Sequence, residues 1–454
     1  SGTDYFNLVL DGQSYSLGSS LTVAGDMTIV GAGDLDAVTS PVSVTGSVTG
    51  TGSFDGGTSA VTVGGALSVS SYTATSNVTT VGTDFTPTTF SAGSARVKLT
   101  GTGAIAANTQ FYDLEVAGGP RLLNGDMTVG NDLTLSGGTL AGGAANTITV
   151  HRNWSASGGT LQWDTSTVEF VNNSKTTVVT GSNTFYNLTV QTGGKLVRFE
   201  QGSTQGVDGT LTVDGTSGNF ITLESTSGGN AWILESDANQ AISLVRVQDA
   251  DIDDTVFAFD PTITVNNGVD VSGNDTTAPG TDTDGYFDFV TPTEYAWVGS
   301  TTDWSTGTNW SPQWTGGGIG PNGAGISVTI QSGYTTPTVP ASTFDLNNVT
   351  INSGATMSSQ AATDLTINGT LDNQGTLIRQ AGDAYSKSDS DSGTVRYEGT
   401  GTLQVYAGDD YNTLRLTGAG TLTLGGDLTV TNSLQLLSGQ LTTGTQTVSL
   451  AGDM

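Results

Sequence analysis

Along most of this chain apolar and polar residues alternate in short runs, as in Leu21-Thr22-Val23, Leu133-Thr134-Leu135, Leu211-Thr212-Val213 and Leu428-Thr429-Val430. A period of two puts alternate side chains on opposite faces of a half-buried strand. No 3.6-residue period persists for three turns, so helix is expected to be nearly absent. Turns centred on Gly, Asn or Asp separate the runs about every eight to ten residues, a spacing that allows a sandwich, a barrel or a solenoid.

Internal repeats favour the solenoid. Four segments share an aromatic residue, one or two polar residues and a leucine that opens a strand: Tyr5-Phe6-Asn7-Leu8, Phe111-Tyr112-Asp113-Leu114, Phe185-Tyr186-Asn187-Leu188 and Tyr411-Asn412-Thr413-Leu414. Leu114 and Leu188 lie 74 residues apart (188 − 114), which is three coils if each takes roughly 20 to 25 residues. On that reckoning the chain holds on the order of 20 coils about 4.8 Å apart, a rod of roughly 100 Å. The stretches Leu114 to Trp154 and Leu414 to Met454 both advance 40 residues; after Trp154 the earlier copy continues to Gly181-Ser182-Asn183-Thr184-Phe185-Tyr186-Asn187-Leu188, and Gly2-Thr3-Asp4-Tyr5-Phe6-Asn7-Leu8 reads as the close of such a continuation. The two ends are therefore expected to be complementary in phase and uncapped. Strands at Leu8, Val9 and Leu10 and at Thr447, Val448, Ser449 and Leu450 would offer self-assembly edges, to a second copy stacked end to end or to the continuation of a longer chain.

Composition narrows the setting. Charged residues make up 12% of the chain against roughly 25% in ordinary domains, and 65 of 454 residues are Gly. The regular return of Leu, Val, Ile and aromatics supplies an inward stripe that a disordered Gly/Ser/Thr-rich chain lacks. With 42 acidic and 12 basic residues the net charge is −30, which repels nucleic acid and anionic membrane surfaces, so neither is expected as a partner. There is no cysteine, hence no disulfide or thiolate chemistry, and no apolar run near 18 residues, hence no expected membrane insertion. The first residue is Ser1, and the chain reads as mature exported material or an excerpt of it.

The strand pattern lapses across 274–293, where Asn274-Asp275-Thr276-Thr277-Ala278-Pro279-Gly280 and Asp282-Thr283-Asp284-Gly285 suggest an acidic linker or a module boundary. This divides the chain into a solenoid module at 1–273 and a second at 294–454. The second opens on Trp297-Val298-Gly299, Asp303-Trp304-Ser305 and Asn309-Trp310-Ser311, followed by Ile330, Asp345-Leu346-Asn347-Asn348-Val349-Thr350-Ile351 and Leu365-Thr366-Ile367-Asn368-Gly369-Thr370-Leu371. This succession resembles the repeat units of large bacterial surface proteins of the filamentous-adhesin and autotransporter-passenger type. The stretch from Leu211-Thr212-Val213 through Ile221-Thr222-Leu223 and Trp232 to Val247-Gln248-Asp249 is similar to another unit of such proteins. The resemblance implies an all-β, right-handed parallel β-helix and a cell-surface or extracellular setting.

Candidate chemistry is sparse. His151 is the only histidine, too few for a Ser/His/Asp triad or a multi-histidine metal site. Asp249, Asp251, Asp253 and Asp254 form the densest acidic cluster. Hard oxygen ligands one residue apart suit Ca²⁺, the one ion expected if any is bound, although no complete calcium motif is present. The same acids raise the option of a polysaccharide-degrading β-helix enzyme, but only Arg246 lies near to hold an acidic sugar. The alternative is that they cap turns. Trp297, Trp304, Trp310 and Trp314 are either a hydrophobic lid over a first coil or, if exposed, a glycan-stacking row that would make the chain an adhesin for surface glycans. The sequence is thus expected to encode a non-enzymatic structural protein of a surface filament or stalk.

Overall fold

The computed structural model describes residues 3–216, 219–253, 260–276, 285–290, 292–311, 314, 319–380, 383–388, 390–399, 401–403, 405, 410–419 and 421–452. The protein is an all-β solenoid of stacked parallel coils with 54% strand and 1% helix. Its one helical element among the described residues is a 3₁₀ turn at Gly307–Asn309. Two compact units divide at Val290/Thr291.

In the first unit each coil has three faces. Leu21–Val23, Met27–Val30 and Asp34–Asp36 form one coil, and their parallel partners Val42–Val44, Val48–Thr49 and Ser53–Asp55 form the next. Fourteen strands follow one another along the longest ladder, from Thr3–Tyr5 to Val269–Ser272. Successive partners differ by 17 residues where Val97 meets Leu114 and by 26 where Val197 meets Leu223. The coils are therefore less uniform than the sequence suggests.

The strands are short because only one or two inward side chains fit on each face of so narrow a prism. Val23, Val44, Val63 and Val81 come from successive coils, are fully buried and sit in register, so each presses on its own kind above and below. Aromatic residues fill the wider sections. Tyr72 stacks on Phe90 with centroids 5.9 Å apart, and Phe199 lies 4.1 Å from Trp232. At one corner the backbones approach so closely that a Cβ on Gly82 would overlap the carbonyl oxygen of Gly64, and one on Gly101 would crowd that of Gly82. Glycine is needed there for space.

Two expectations are corrected. The 74-residue spacing is not three coils: from Leu114 the ladder passes Leu133 and Trp154 to Val179, nine residues short of Leu188 (188 − 179). Leu188 instead pairs with Val168 and Leu211 on another face, and Leu8 lies on the third, beside Met27. The linker or module boundary expected at 274–293 is also narrower: the units divide at Val290/Thr291, within that span. Tyr286–Val290 pairs with Thr262–Asn266, and the Asn274 amide donates to the Val247 carbonyl while its oxygen accepts from the Ala250 N–H, so Asn274 and Tyr286–Val290 belong to the first unit. Residues 277–284, including Asp282 and Asp284, lie outside the described residues.

The second unit repeats the design with a seven-strand ladder from Thr338–Val339 to Val448–Leu450. Its opening differs. Glu294–Trp297 has a parallel neighbour, Ser327–Ile330, on one side and an antiparallel one, Trp310–Ser311, on the other.

Stability is expected to follow the inward stripe. Leu135 is 1% exposed and Thr134 beside it is half-buried on the outward side. Leu135→Asp buries an unpaired charge and should cost several kcal/mol, about 3 or more, whereas Thr134→Ala should stay within about 0.5 kcal/mol. Urea unfolding with a protease-resistance readout separates the two, and equal effects would contradict this register.

Candidate functional site

Many of the acidic residues serve as backbone acceptors. A coil turns a corner just before each strand, and there the aspartate or asparagine side chain of one coil accepts from the N–H at the same position of the next. Asn7 Oδ1 accepts from Asp26 N at 2.9 Å, and Asp26 Oδ1 from Ser47 N at 2.9 Å. Further along, Asp113 serves Asp132 at 3.0 Å, Asp132 serves Asn153 at 3.3 Å and Asn153 serves Val178 at 3.1 Å. Asp126, Asn187, Asn348 and Asp427 make the same bond to Thr147, Thr210, Thr370 and Thr447. Other aspartates close their own turns: Asp36 and Asp55 bond Val38 N and Gly57 N, whose positive φ bends the chain.

Of the expected calcium ligands, Asp249 fits this pattern. Asp249 is 4% exposed, at φ 51°, and its Oδ2 accepts from the Gly229 N–H at 3.0 Å and the Gln248 amide at 3.2 Å. Asp251 faces outward from Ala250–Ile252, Asp253 donates its N–H to the Leu234 carbonyl, and Asp254 lies outside the described residues. Among the described residues no three acidic or histidine side chains converge in a way that would hold a metal ion.

The tryptophans are packed inward rather than displayed. Trp297, Trp304 and Trp310 are at most 1% exposed, with centroids 4.5 Å apart for Trp304 and Trp310 and 5.0 Å for Trp297 and Trp310. Trp297 donates to the Thr335 carbonyl and Trp310 to that of Trp304. Trp314 is half-buried against Tyr295. The glycan-stacking row thus has no exposed indole face at Trp297, Trp304 or Trp310. Trp310 lies instead on the outer strand beside Glu294–Trp297, where it covers that sheet edge.

Of the expected self-assembly edges, Leu8–Asp11 and Val448–Leu450 each end their ladder among the described residues. Val9 is 64% exposed and Leu10 is buried; Thr447 and Ser449 are exposed, Val448 and Leu450 half-buried.

Sequence reasoning passes over the cations. Arg121 and Arg379 are fully buried. Arg121 donates to the carbonyls of Val81, Gly82 and Thr83, while Arg379 donates to Tyr397 Oη at 2.6 Å and lies 4.3 Å from the Tyr385 ring centre. Lys195 is buried too, its ammonium bonded to the carbonyls of Lys175 at 2.8 Å, Asn172 at 3.1 Å and His151 at 3.5 Å. Burial, with the nearby Lys175 charge adding to it, pulls Lys195 down to about 8. Burial also holds His151 below its ordinary value, and the charges of Lys175 and Lys195 add to the effect. Near it Arg152, Lys175 and Arg198, from three successive coils, line one open concavity.

No helix among the described residues is long and apolar enough to cross a membrane. Comparison with known proteins matched no family model, no curated protein and no solved structure.

Two tests follow from the corner chemistry. Asp26→Asn keeps the acceptor and should leave stability unchanged, whereas Asp26→Ala strands the Ser47 N–H and should cost about 1 kcal/mol in chemical denaturation. Lys195 titrates lower folded than unfolded, so between about 8 and 10.5 the unfolded chain binds the extra proton and stability contributed by this group rises with pH. Melting followed across that range should rise in the wild type relative to Lys195→Met, and parallel curves would contradict the assignment.

Proposed function

We propose that this chain is a non-enzymatic structural module, a length-bearing β-solenoid of a surface fibre or stalk outside the cell. The observation that carries the reading is the continuity of the inward ladder. From Thr3 to Ser272 each coil pairs in parallel with the previous one along one continuous ladder, and many of the corner acids and amides make coil-to-coil hydrogen bonds. A repeat in which each coil satisfies the next extends by addition, and suits a spacer better than a centre of chemistry. The low charged fraction, the absence of cysteine and the resemblance of the Trp297–Leu371 pattern to bacterial surface repeats support export. The exposed edge of Leu8–Asp11, with Val9 outward, is suited to pairing with another strand, from a second copy or from further sequence.

The reading is tested by immunogold electron microscopy of the source cells with antibodies raised against residues 1–290. Label distributed along thin structures outside the cell is expected. Label confined to the cell interior, or to compact particles with no extended form, would overturn it.

A further inference from the structure

The chain carries 12 lysines and arginines against 42 acids, yet three of the 12 meet on one patch of the first unit. Arg152, Lys175 and Arg198 line an open concavity of about 550 Å³ together with Tyr112, Asn131 and Asn153. That volume falls within the roughly 300–1,000 Å³ of small-ligand sites. Each cation comes from a successive coil: Trp154 pairs with Val179, and Val178 with Arg198, so the charges climb the stack in steps of about 4.8 Å.

The ion pairs around the concavity leave a local excess of positive charge. Arg152 is held at 3.3 Å by Asp132 from the coil before, and Arg198 at 2.6 Å by Glu224 from the coil after. Both guanidiniums remain about half exposed, at 47% and 48%. Lys175 lies between them and donates to neutral acceptors, the Gly130 carbonyl at 3.1 Å and Asn131 Oδ1 at 3.4 Å. Among the described residues no carboxylate pairs with it. An ammonium has three hydrogens, so one is left for a ligand. Behind it the buried Lys195 adds a second charge of the same sign.

We propose that this concavity binds an acidic saccharide unit bearing a single oxyanion, carboxylate or sulfate, at Lys175 between Arg152 and Arg198. The −30 charge of the chain repels polyanions at long range, which favours one anionic group on a neutral scaffold. Guanidinium and ammonium donors suit an oxyanion, the half-buried Asn153 offers its amide N–H groups to a hydroxyl, and the half-buried Tyr112 ring offers a face for a sugar. The site does not depend on the structural role proposed above, since a spacer can carry it or lack it.

Saturation-transfer NMR titrations of the full chain with glucuronate, galactose 6-sulfate, glucose and inorganic sulfate test the proposal. Saturable binding of at least one acidic sugar is expected, with none of glucose, and the responding sugar distinguishes carboxylate from sulfate. Lys175→Gln should weaken it tenfold or more, Arg152→Gln several-fold, and Arg415→Gln, in the second unit, not at all. If circular dichroism shows Lys175→Gln misfolded, the half-exposed Arg152→Gln decides. Absence of saturable binding, equal binding of glucose, or affinity unchanged in the folded variants would overturn the proposal. Inorganic sulfate binding as tightly as either sugar would mean an adventitious ion only, and would overturn it too.

Discussion

The structure depends on the backbone hydrogen bond between one coil and the next. Inside a strand the parallel ladder provides it automatically, as from Leu21 to Val42 to Val61. At the corners the ladder lapses, and buried or half-buried N–H groups need another acceptor. Asx side chains provide it in many places, from Asn7 serving Asp26 to Asp427 serving Thr447. Where carbonyls crowd, buried cations serve the opposite need: Arg121 collects three of them and Lys195 another three. Much of the polar chemistry that composition brings to notice is absorbed in this way.

This explains what the repeat motif is. In Phe111-Tyr112-Asp113-Leu114 the phenylalanine points inward, the aspartate is the corner acceptor and the leucine opens the next face. Phe185-Tyr186-Asn187-Leu188 has the same three roles. Tyr5-Phe6-Asn7-Leu8 keeps the corner acceptor, but Tyr5, which stands where Phe111 does, is 41% exposed in the first coil. The motif describes a corner rather than a coil. A coil has three corners with the same requirements, so copies can start on different faces, as Leu8, Leu114 and Leu188 do.

The strands, their parallel stacking and the near absence of helix were legible because period two and turn residues are local signals, as at Leu133-Thr134-Leu135. Coil length was not, because it depends on how many residues each corner needs: the coil from Val97 to Leu114 is short and that from Val197 to Leu223 is long. The fate of Trp297, Trp304 and Trp310 was undecided in sequence, since an indole suits a lid or a sugar platform equally and only packing chooses. Asp249 looked like a metal ligand for a related reason: the Gly229 N–H that its carboxylate accepts lies 20 residues away. The cationic patch went unseen because its members sit at different offsets on successive coils of unequal length, 25 residues from Trp154 to Val179 and 20 from Val178 to Arg198, so only the register brings them together.

The account's central claim is that each coil is an interchangeable unit held by its register to its neighbours. Excising residues 42–60 tests it most directly, because Val61 then takes the place of Val42 against Leu21, and every inward side chain keeps its face. The claim predicts that this shortened chain melts in a cooperative transition with the β-sheet circular dichroism of the parent, while removal of residues 42–51, which turns the following faces out of phase, abolishes both. Equal loss of folding in the two deletions, or equal tolerance of them, would contradict it.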